Sequence, residues 1–237
     1  LSRHGYSYLF DQAGLQNLLH RRSVAEGAER QGKLTTPQRM FLAINELGPT
    51  FIKIGQIIST RPDLVPWPYL EQLEKLQDMV PPFPAEQVEE IFRQDQQKSL
   101  AEVFVDFESV PIASASIAQV HRARLMTGES VVIKVQRPDI QRVIELDLEI
   151  LFGLARLLEA RTVWGKHYGL VDTLEEFAQA LRAELDFTSE GRNADRFYNL
   201  FSDDPGVVIP KVYWEYSSRR FLVMEYIDGI KMTSTEQ

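Results

Sequence analysis

Gln119-Val120-His121-Arg122-Ala123-Arg124, Thr127-Gly128-Glu129 and Val131-Val132-Ile133-Lys134-Val135 read in order as an alternating strand, a hairpin turn and a second strand. Just upstream, Val103-Phe104-Val105-Asp106-Phe107 is rich in β-branched and aromatic residues and supplies another strand, so the region predicts successive antiparallel strands. Downstream, Ile140, Ile144, Leu148, Leu151 and Leu158 recur at helical spacing over residues 140–160, and the turn-like Trp164-Gly165-Lys166 closes that helix. A second long helix is expected from about Val171 to Leu200. Asp203-Asp204-Pro205-Gly206 marks a turn, and further strands are expected near residues 207–213 and 220–226. The pattern is α+β: a five-stranded antiparallel sheet with a long helix inserted after the third strand.

Residues 1–100 are different, with helical periodicity broken by prolines and no strand pattern. Thr36-Pro37 starts a helix and Leu47-Gly48-Pro49 ends it. A segment from Thr50 to about Thr60 follows, stopped by Arg61-Pro62-Asp63 and Pro66-Trp67-Pro68. Helices over residues 69–77 and 85–93 flank the joint Pro81-Pro82-Phe83-Pro84. The expected organisation is a helical N-terminal extension over residues 1–100 and a sheet-bearing domain over residues 101–237, with a helical insertion at about 139–168.

Composition narrows the function classes. With no cysteine, a disulfide framework, thiolate metal sites and a cysteine nucleophile are excluded, and His4, His20, His121 and His167 are too scattered for a zinc site. A net charge of −8 argues against a nucleic-acid partner, which calls for a basic stripe. Basic residues nevertheless outnumber acids in residues 1–60. Tyr8-Leu9-Phe10 with Leu15, Leu18 and Leu19 before His20-Arg21-Arg22 forms a basic amphipathic segment, suited either to an anionic membrane surface or to packing on its own protein. No apolar run approaches the ~18–20 residues that span a bilayer, and the start lacks Met or a signal pattern. The expectation is a cytoplasmic chain, peripheral on a membrane at most, and a piece of something longer.

Lys134 sits in an apolar strand where an unpaired ammonium is costly. In a kinase-type small lobe such a lysine holds the α- and β-phosphates of ATP and pairs with a helix glutamate, while a later strand leads to the segment that binds adenine. Met224-Glu225-Tyr226-Ile227 ends such a later strand, so the two segments look like the ends of an ATP cleft. A lysine on the solvated face of an edge strand is the plainer alternative. The candidate partner is Glu190. Asp186 and Glu190, four apart, would share a helix face that Glu184 does not, with Asp186 approaching a magnesium ion; a solvated acidic face would look the same. A pair buried with Lys134 would cost about 3–5 kcal/mol to break.

Between the first strands, Pro111-Ile112-Ala113-Ser114-Ala115-Ser116-Ile117-Ala118 contains no glycine. Alanine Cβ atoms restrict positive φ and hold the backbone farther from a phosphate, although serine hydroxyls can still donate to one. In Phe51-Ile52-Lys53-Ile54-Gly55-Gln56-Ile57-Ile58, Lys53 and Gln56 form a narrow polar stripe among isoleucines, and Gly55 weakens the helix by about 1 kcal/mol relative to Ala. Close approach of a backbone or ligand would explain that glycine; a snorkelling surface lysine is the alternative for Lys53.

These motifs, spread in order over nearly the whole chain, resemble the UbiB family of atypical protein-kinase-like proteins. Lys53-Ile54-Gly55-Gln56 matches the family's KxGQ motif, Ala113-Ser114-Ala115-Ser116 its alanine-rich loop, Lys134 its strand lysine, and Glu184-Leu185-Asp186 with Glu190 its ExD motif and helix glutamate. Ser114 departs from an all-alanine loop. The resemblance implies a nucleotide-binding small lobe with a long αC-type helix, binding ATP or ADP with Mg²⁺. It also implies that the helical extension brings Lys53 and Gln56 into the active site. Lys134 and Glu190 would act with them, Glu184 and Asp186 would hold the metal, Met224 would line the adenine pocket, and backbone groups of Glu225 and Ile227 would pair with the adenine edge. The implied activity is that of an ATPase or small-molecule kinase supporting ubiquinone or related isoprenoid-quinone biosynthesis, with a quinone-precursor lipid, a membrane surface or quinone-biosynthesis proteins as partners.

The sequence ends soon after Gly229, with no catalytic loop and no Asp-Phe-Gly, so the large lobe is absent from this chain. The chain as written is expected not to turn over ATP, and the intact protein is expected to continue past Gln237 and be the enzyme. A pseudokinase module that regulates or binds lipid, and a small-molecule phosphotransferase, are the competing classes. Replacing Lys53 is expected to alter nucleotide selectivity or turnover in the intact protein without unfolding the small lobe; wild-type kinetics for ATP and ADP in a Lys53→Ala variant would make it a surface lysine.

Overall fold

Prolines, glycines and self-capping side chains set where the helices of this chain begin and end. The computed structural model describes residues 34–63, 65–77 and 80–230, so the amphipathic segment between Tyr8 and Arg22 lies outside the described residues. In chain order the elements are α1 (Thr36–Leu47), α2 (Pro49–Ser59), α3 (Trp67–Glu74) with a 3₁₀ turn at Lys75–Gln77, α4 (Ala85–Gln96), α5 (Leu100–Val103), β1 (Phe104–Phe107), β2 (Ala113–Ser114), β3 (Ala118–Leu125), β4 (Ser130–Gln136), α6 (Ile140–Arg161), α7 (Val163–Tyr168), α8 (Leu170–Glu184), α9 (Phe187–Leu200), a 3₁₀ turn at Trp214–Tyr216, and β5 (Phe221–Glu225). They divide into two compact units, one within residues 1–79 and 142–175, the other within 80–141 and 176–237.

In the first unit, Thr35 caps α1: its hydroxyl accepts from the Gln38 amide while Gln38 Oε1 accepts from the Thr35 amide at 2.9 Å. Gly48, at φ 95°, ends that helix, and Pro49 opens α2 where a missing N–H is no loss. Helices α1, α2 and α3 pack on one another and bury Ala43, Ile52, Leu70, Leu73 and Leu76. The fully buried Thr50 donates to Asp147 Oδ2 at 2.6 Å, tying α2 to α6. Gly55 has its reason in this packing: a Cβ there would stand 2.4 Å from Leu76 Cδ1 and 3.3 Å from Leu73 Cδ2. Leucine side chains of its own unit, rather than a backbone or ligand, account for the glycine.

The second unit is built on an antiparallel sheet of order β1-β3-β4-β5, with β2 paired to β3 off that path. Period-2 alternation sends Val131, Ile133 and Val135 of β4 to one face, where they meet Val88, Ile91 and Phe92 of α4 in the larger core. Arg220 at the start of β5 and Ser218 both donate to Asp95 near the end of α4, the Ser218 contact at 2.6 Å, and hold that helix on the sheet. Gln119 and His121 are fully buried on this face, and Gln119 exchanges two hydrogen bonds with the Phe83 backbone at 3.0 and 3.2 Å. His121 Nδ1 donates to the Glu108 carbonyl at 2.7 Å, leaving Nε2 to accept from Gln119; burial pushes the imidazole pKa below its usual value and favours this neutral form.

Several expectations are met and several are corrected. The hairpin turns at Gly128, with φ 105°, and β1, β3, β4, β5 and the helix over 140–161 fall where expected. Residues 207–213 do not form a strand: Pro210 lacks an N–H for a ladder, and only Val212 bridges to Met224. The fifth strand is the short β2 inside the alanine-rich loop. Trp164-Gly165-Lys166 lies in the short helix α7, capped by the Thr162 hydroxyl, instead of a turn. The long helix expected from 171 to 200 is broken at Leu185 and Asp186 into α8 and α9.

Gly55→Ala sets an overpacking cost of about 1–3 kcal/mol against a propensity gain of about 1 kcal/mol. Urea unfolding of the variant is expected to show a net loss of about 1 kcal/mol; a stabilised variant would mean that Leu76 repacks freely.

Candidate functional site

The face of the sheet opposite α4 carries the candidate site of the second unit. Lys134 lies in register between Val120 of β3 and Leu222 of β5, and Val132 lies between Arg122 and Met224. Ala118, Leu222 and Met224 pack with Phe187, the first residue of α9, in a smaller cluster on this face. Lys134 Nζ donates to Glu190 Oε2 at 2.6 Å and stands 4.8 Å from the centre of the buried Phe187 ring. The expected Lys134–Glu190 pair is therefore present, with an aromatic floor that sequence reasoning missed. Its side chains are 25% and 44% exposed, so the pair contributes roughly 0.2–1 kcal/mol to stability, and the larger figure for a buried pair does not apply.

The helix break brings Glu190 to this place. Asp186 has extended backbone (φ −110°, ψ 91°) and caps α9, its Oδ1 accepting from the Thr188 amide at 3.0 Å and the Thr188 hydroxyl at 2.6 Å. Asp186 and Glu190 consequently do not share a helix face as four-residue spacing suggested: one caps the helix and the other sits in its first turn. The Thr188 hydrogen bonds, aided by Arg219 with Nε 3.9 Å from Oδ2, hold the Asp186 carboxyl below its usual pKa and keep it ionised. On the strand side, Gln136, two residues from Lys134 and buried, donates through Nε2 to the Leu185 carbonyl at 2.8 Å, the group the break leaves without a helical partner. Glu184 ends α8 and is exposed. One turn into α9, Gly191 permits a close approach, since a Cβ there would stand 2.7 Å from Trp214 Cη2 and 3.1 Å from Leu222 Cδ1. Trp214 is held in turn by a 2.6 Å hydrogen bond to Asp195.

The alanine-rich loop is a tight turn. The Ile112 amide donates to the Val120 carbonyl and the Ala115 amide to the Ala118 carbonyl, both at 2.8 Å. Ala113 and Ser114 form β2, Ala115 is exposed, and Ser116 is buried. Arg137, just past β4, donates to Ala115 O, Pro81 O and Ser114 Oγ, contacts absent from the sequence reading. At the end of β5, the Glu225 amide donates to Lys211 O and the Tyr226 amide to Ser130 O, whereas the Ile227 amide makes no backbone bond among the described residues. The Arg122 guanidinium lies 3.9 Å above the Tyr226 ring. Among the described residues no cluster of three or more His, Cys, Asp or Glu is placed to hold a metal, and no helix is long and apolar enough to cross a membrane.

Lys53 and Gln56 belong to the first unit, on α2. Lys53 is half-buried, and Gln56 Nε2 donates to the Leu76 carbonyl at 3.3 Å.

Residues 75–237 match the family model of the ABC1 atypical kinase-like domain. The chain belongs to this family. It is 43% identical over 200 residues to a probable protein kinase UbiB of Marinobacter nauticus, covering 84% of this chain and 37% of that protein. A probable protein kinase UbiB of Pseudomonas aeruginosa is 42% identical over 207 residues, covering 87% and 39%, and an uncharacterized protein of Synechocystis is 45% identical over 190 residues, covering 78% and 34%. Among solved structures, Rv3197 of Mycobacterium tuberculosis, determined as its complex with erythromycin, aligns with a TM-score of 0.56 and 30% identity over 82% of this chain and 49% of that one. The chain spans roughly a third to a half of the length of these relatives. As an ABC1 member it is UbiB-type and kinase-like, and the expected kinase-like α+β fold with a five-stranded antiparallel sheet is the one observed, its long helix divided in two.

Asp186→Ala removes the α9 cap and is expected to cost about 1 kcal/mol in urea unfolding, whereas Asp186→Asn, also a good cap, is expected to stay near wild type. Equal losses in both variants would show that the negative charge, and not the cap, stabilises the break.

Proposed function

We propose that this chain forms the nucleotide-binding small lobe of a UbiB-type atypical kinase or ATPase that serves ubiquinone or related isoprenoid-quinone biosynthesis. The observation that carries this reading is the Lys134–Glu190 contact of 2.6 Å, on the sheet face that also presents Met224. Glu190 and the Phe187 ring hold the lysine ammonium at one point, ready to meet the α- and β-phosphates. Ser116 supplies a donor where the loop has no glycine, Ser114 being turned to Arg137 on the α4 face; Met224 lines the adenine pocket, and the Glu225 carbonyl and Ile227 amide pair with the adenine edge.

These residues fit ATP or ADP: a paired cation, a turn of small residues and an open strand end lie on one sheet. Bound ATP would supply the phosphoryl group, and Mg²⁺ would neutralise its developing charge. Magnesium is commonly held through one or two carboxylates plus phosphate oxygens, and the ionised Asp186, with Glu184, fits that share and no more. Lys53 and Gln56 would act in turnover through the motif match alone. The activity, the lipid substrate and attachment to a membrane belong to the whole protein, whose large lobe would bring the remaining catalytic groups.

Titration of the intact protein with ADP and ATP tests the reading. Wild type is expected to bind both, and Lys134→Met to lose about tenfold or more in affinity, the scale of one charge-assisted hydrogen bond, with its melting temperature little changed. Sedimentation with anionic vesicles in the absence of any nucleotide binding would favour a lipid-binding pseudokinase.

A further inference from the structure

Arg137 reaches the alanine-rich loop from the end of β4. It follows β4 directly, its guanidinium is partly buried, and its acceptors are neutral: the Pro81 carbonyl at 2.7 Å, the Ala115 carbonyl at 2.9 Å and the Ser114 hydroxyl at 2.9 Å. Its own amide donates to the Ile117 carbonyl at 2.9 Å, and its guanidinium lies 5.6 Å from the centre of the Phe83 ring. No carboxylate pairs with it among the described residues. Burial alone pushes its pKa down from the usual arginine value, so the fold carries the expense of a half-buried cation with no acid to offset it.

The loop's geometry gives that cation a use. No peptide bond among the described residues is cis, and in a trans peptide the carbonyl and the next amide point in opposite directions. Pinning the Ala115 carbonyl to Arg137 therefore turns the Ser116 amide to the other side of the loop. That amide makes no backbone bond among the described residues. Ser114, in register with Gln119 on the α4 face, accepts from Arg137 through Oγ and so gives the arginine a second anchor on the loop. We propose that Arg137 is the positioning residue of the glycine-free loop, fixing residues 114–117 so that the Ser116 amide faces the phosphates of a nucleotide, with the uncompensated guanidinium charge favouring the polyanion. Glycine-rich phosphate loops gain close approach from a missing Cβ; here a side chain from the neighbouring strand supplies orientation instead.

The proposal rests on the nucleotide reading above, and one titration separates the two. The intact protein is titrated with ADP and with adenosine, which shares the base and ribose and lacks the phosphates. Wild type is expected to bind both, ADP more tightly. Arg137→Met is expected to weaken ADP by about tenfold while adenosine stays within about twofold. Arg137→Lys, which keeps the charge and loses the planar fork, is expected to recover only part of that loss. Unchanged ADP affinity in both variants, or adenosine falling in step with ADP, would overturn the positioning role while leaving the nucleotide reading in place. A wild-type protein that binds neither ligand would overturn both. If Arg137→Met does not fold, Ser114→Ala serves: a few-fold weakening of ADP alone supports the proposal, and parallel loss of adenosine or no change overturns it.

Discussion

A lysine in an interior strand must find an opposite charge, and most of the second unit is arranged so that Lys134 finds Glu190. Four separate contacts place that glutamate. Asp186 caps α9 with its own carboxylate, Gln136 takes the Leu185 carbonyl, Phe187 fills the space beneath the ammonium, and Gly191 lets the helix come down on Trp214 and Leu222. The ion pair itself is half in solvent and adds little to stability. The energy that holds the arrangement comes from burial around it, of Phe187, Leu222 and Leu185.

This division of labour explains which parts of the molecule were legible in the sequence. Lys134, its hairpin and the proline-punctuated helices of the first unit follow local rules: alternation, a glycine turn, a proline in the first helical turn. The break at Leu185 and Asp186 does not, because the apolar periodicity runs through it. It is decided by a side-chain cap and by Gln136, which lies far off in sequence. Residues 207–213 depart from their expected strand for the reverse reason. The β-branched Val207, Val208 and Ile209 favour a strand locally, and Pro210, with no N–H for the ladder, prevents one. In the candidate site, the motif match named the paired lysine and glutamate and the loop, yet missed Phe187, Gln136 and Arg137, whose importance lies in contacts across the sheet and not in any local pattern.

The relatives set this chain in a kinase-like family. The alanine-rich loop is closed by a two-residue strand and an amide-to-carbonyl turn and contains no glycine. Order in such a loop comes from tertiary partners. The extended segment 81–84 is itself tied down by Gln119 and Arg137, so the residues entering the second unit and the loop above the sheet share anchors.

Protein kinases are commonly switched by moving the helix that carries the glutamate toward or away from the strand lysine. In this protein the same helix is fastened at its first residue, where the Phe187 amide donates to the Arg219 carbonyl at 3.0 Å, and along its flank, where Trp214 fits against Gly191 and is hydrogen-bonded to Asp195. Swinging it outward would break these contacts together and expose a fully buried phenyl ring. Helix α9 is thus fastened at its first turn and along its flank like a strut.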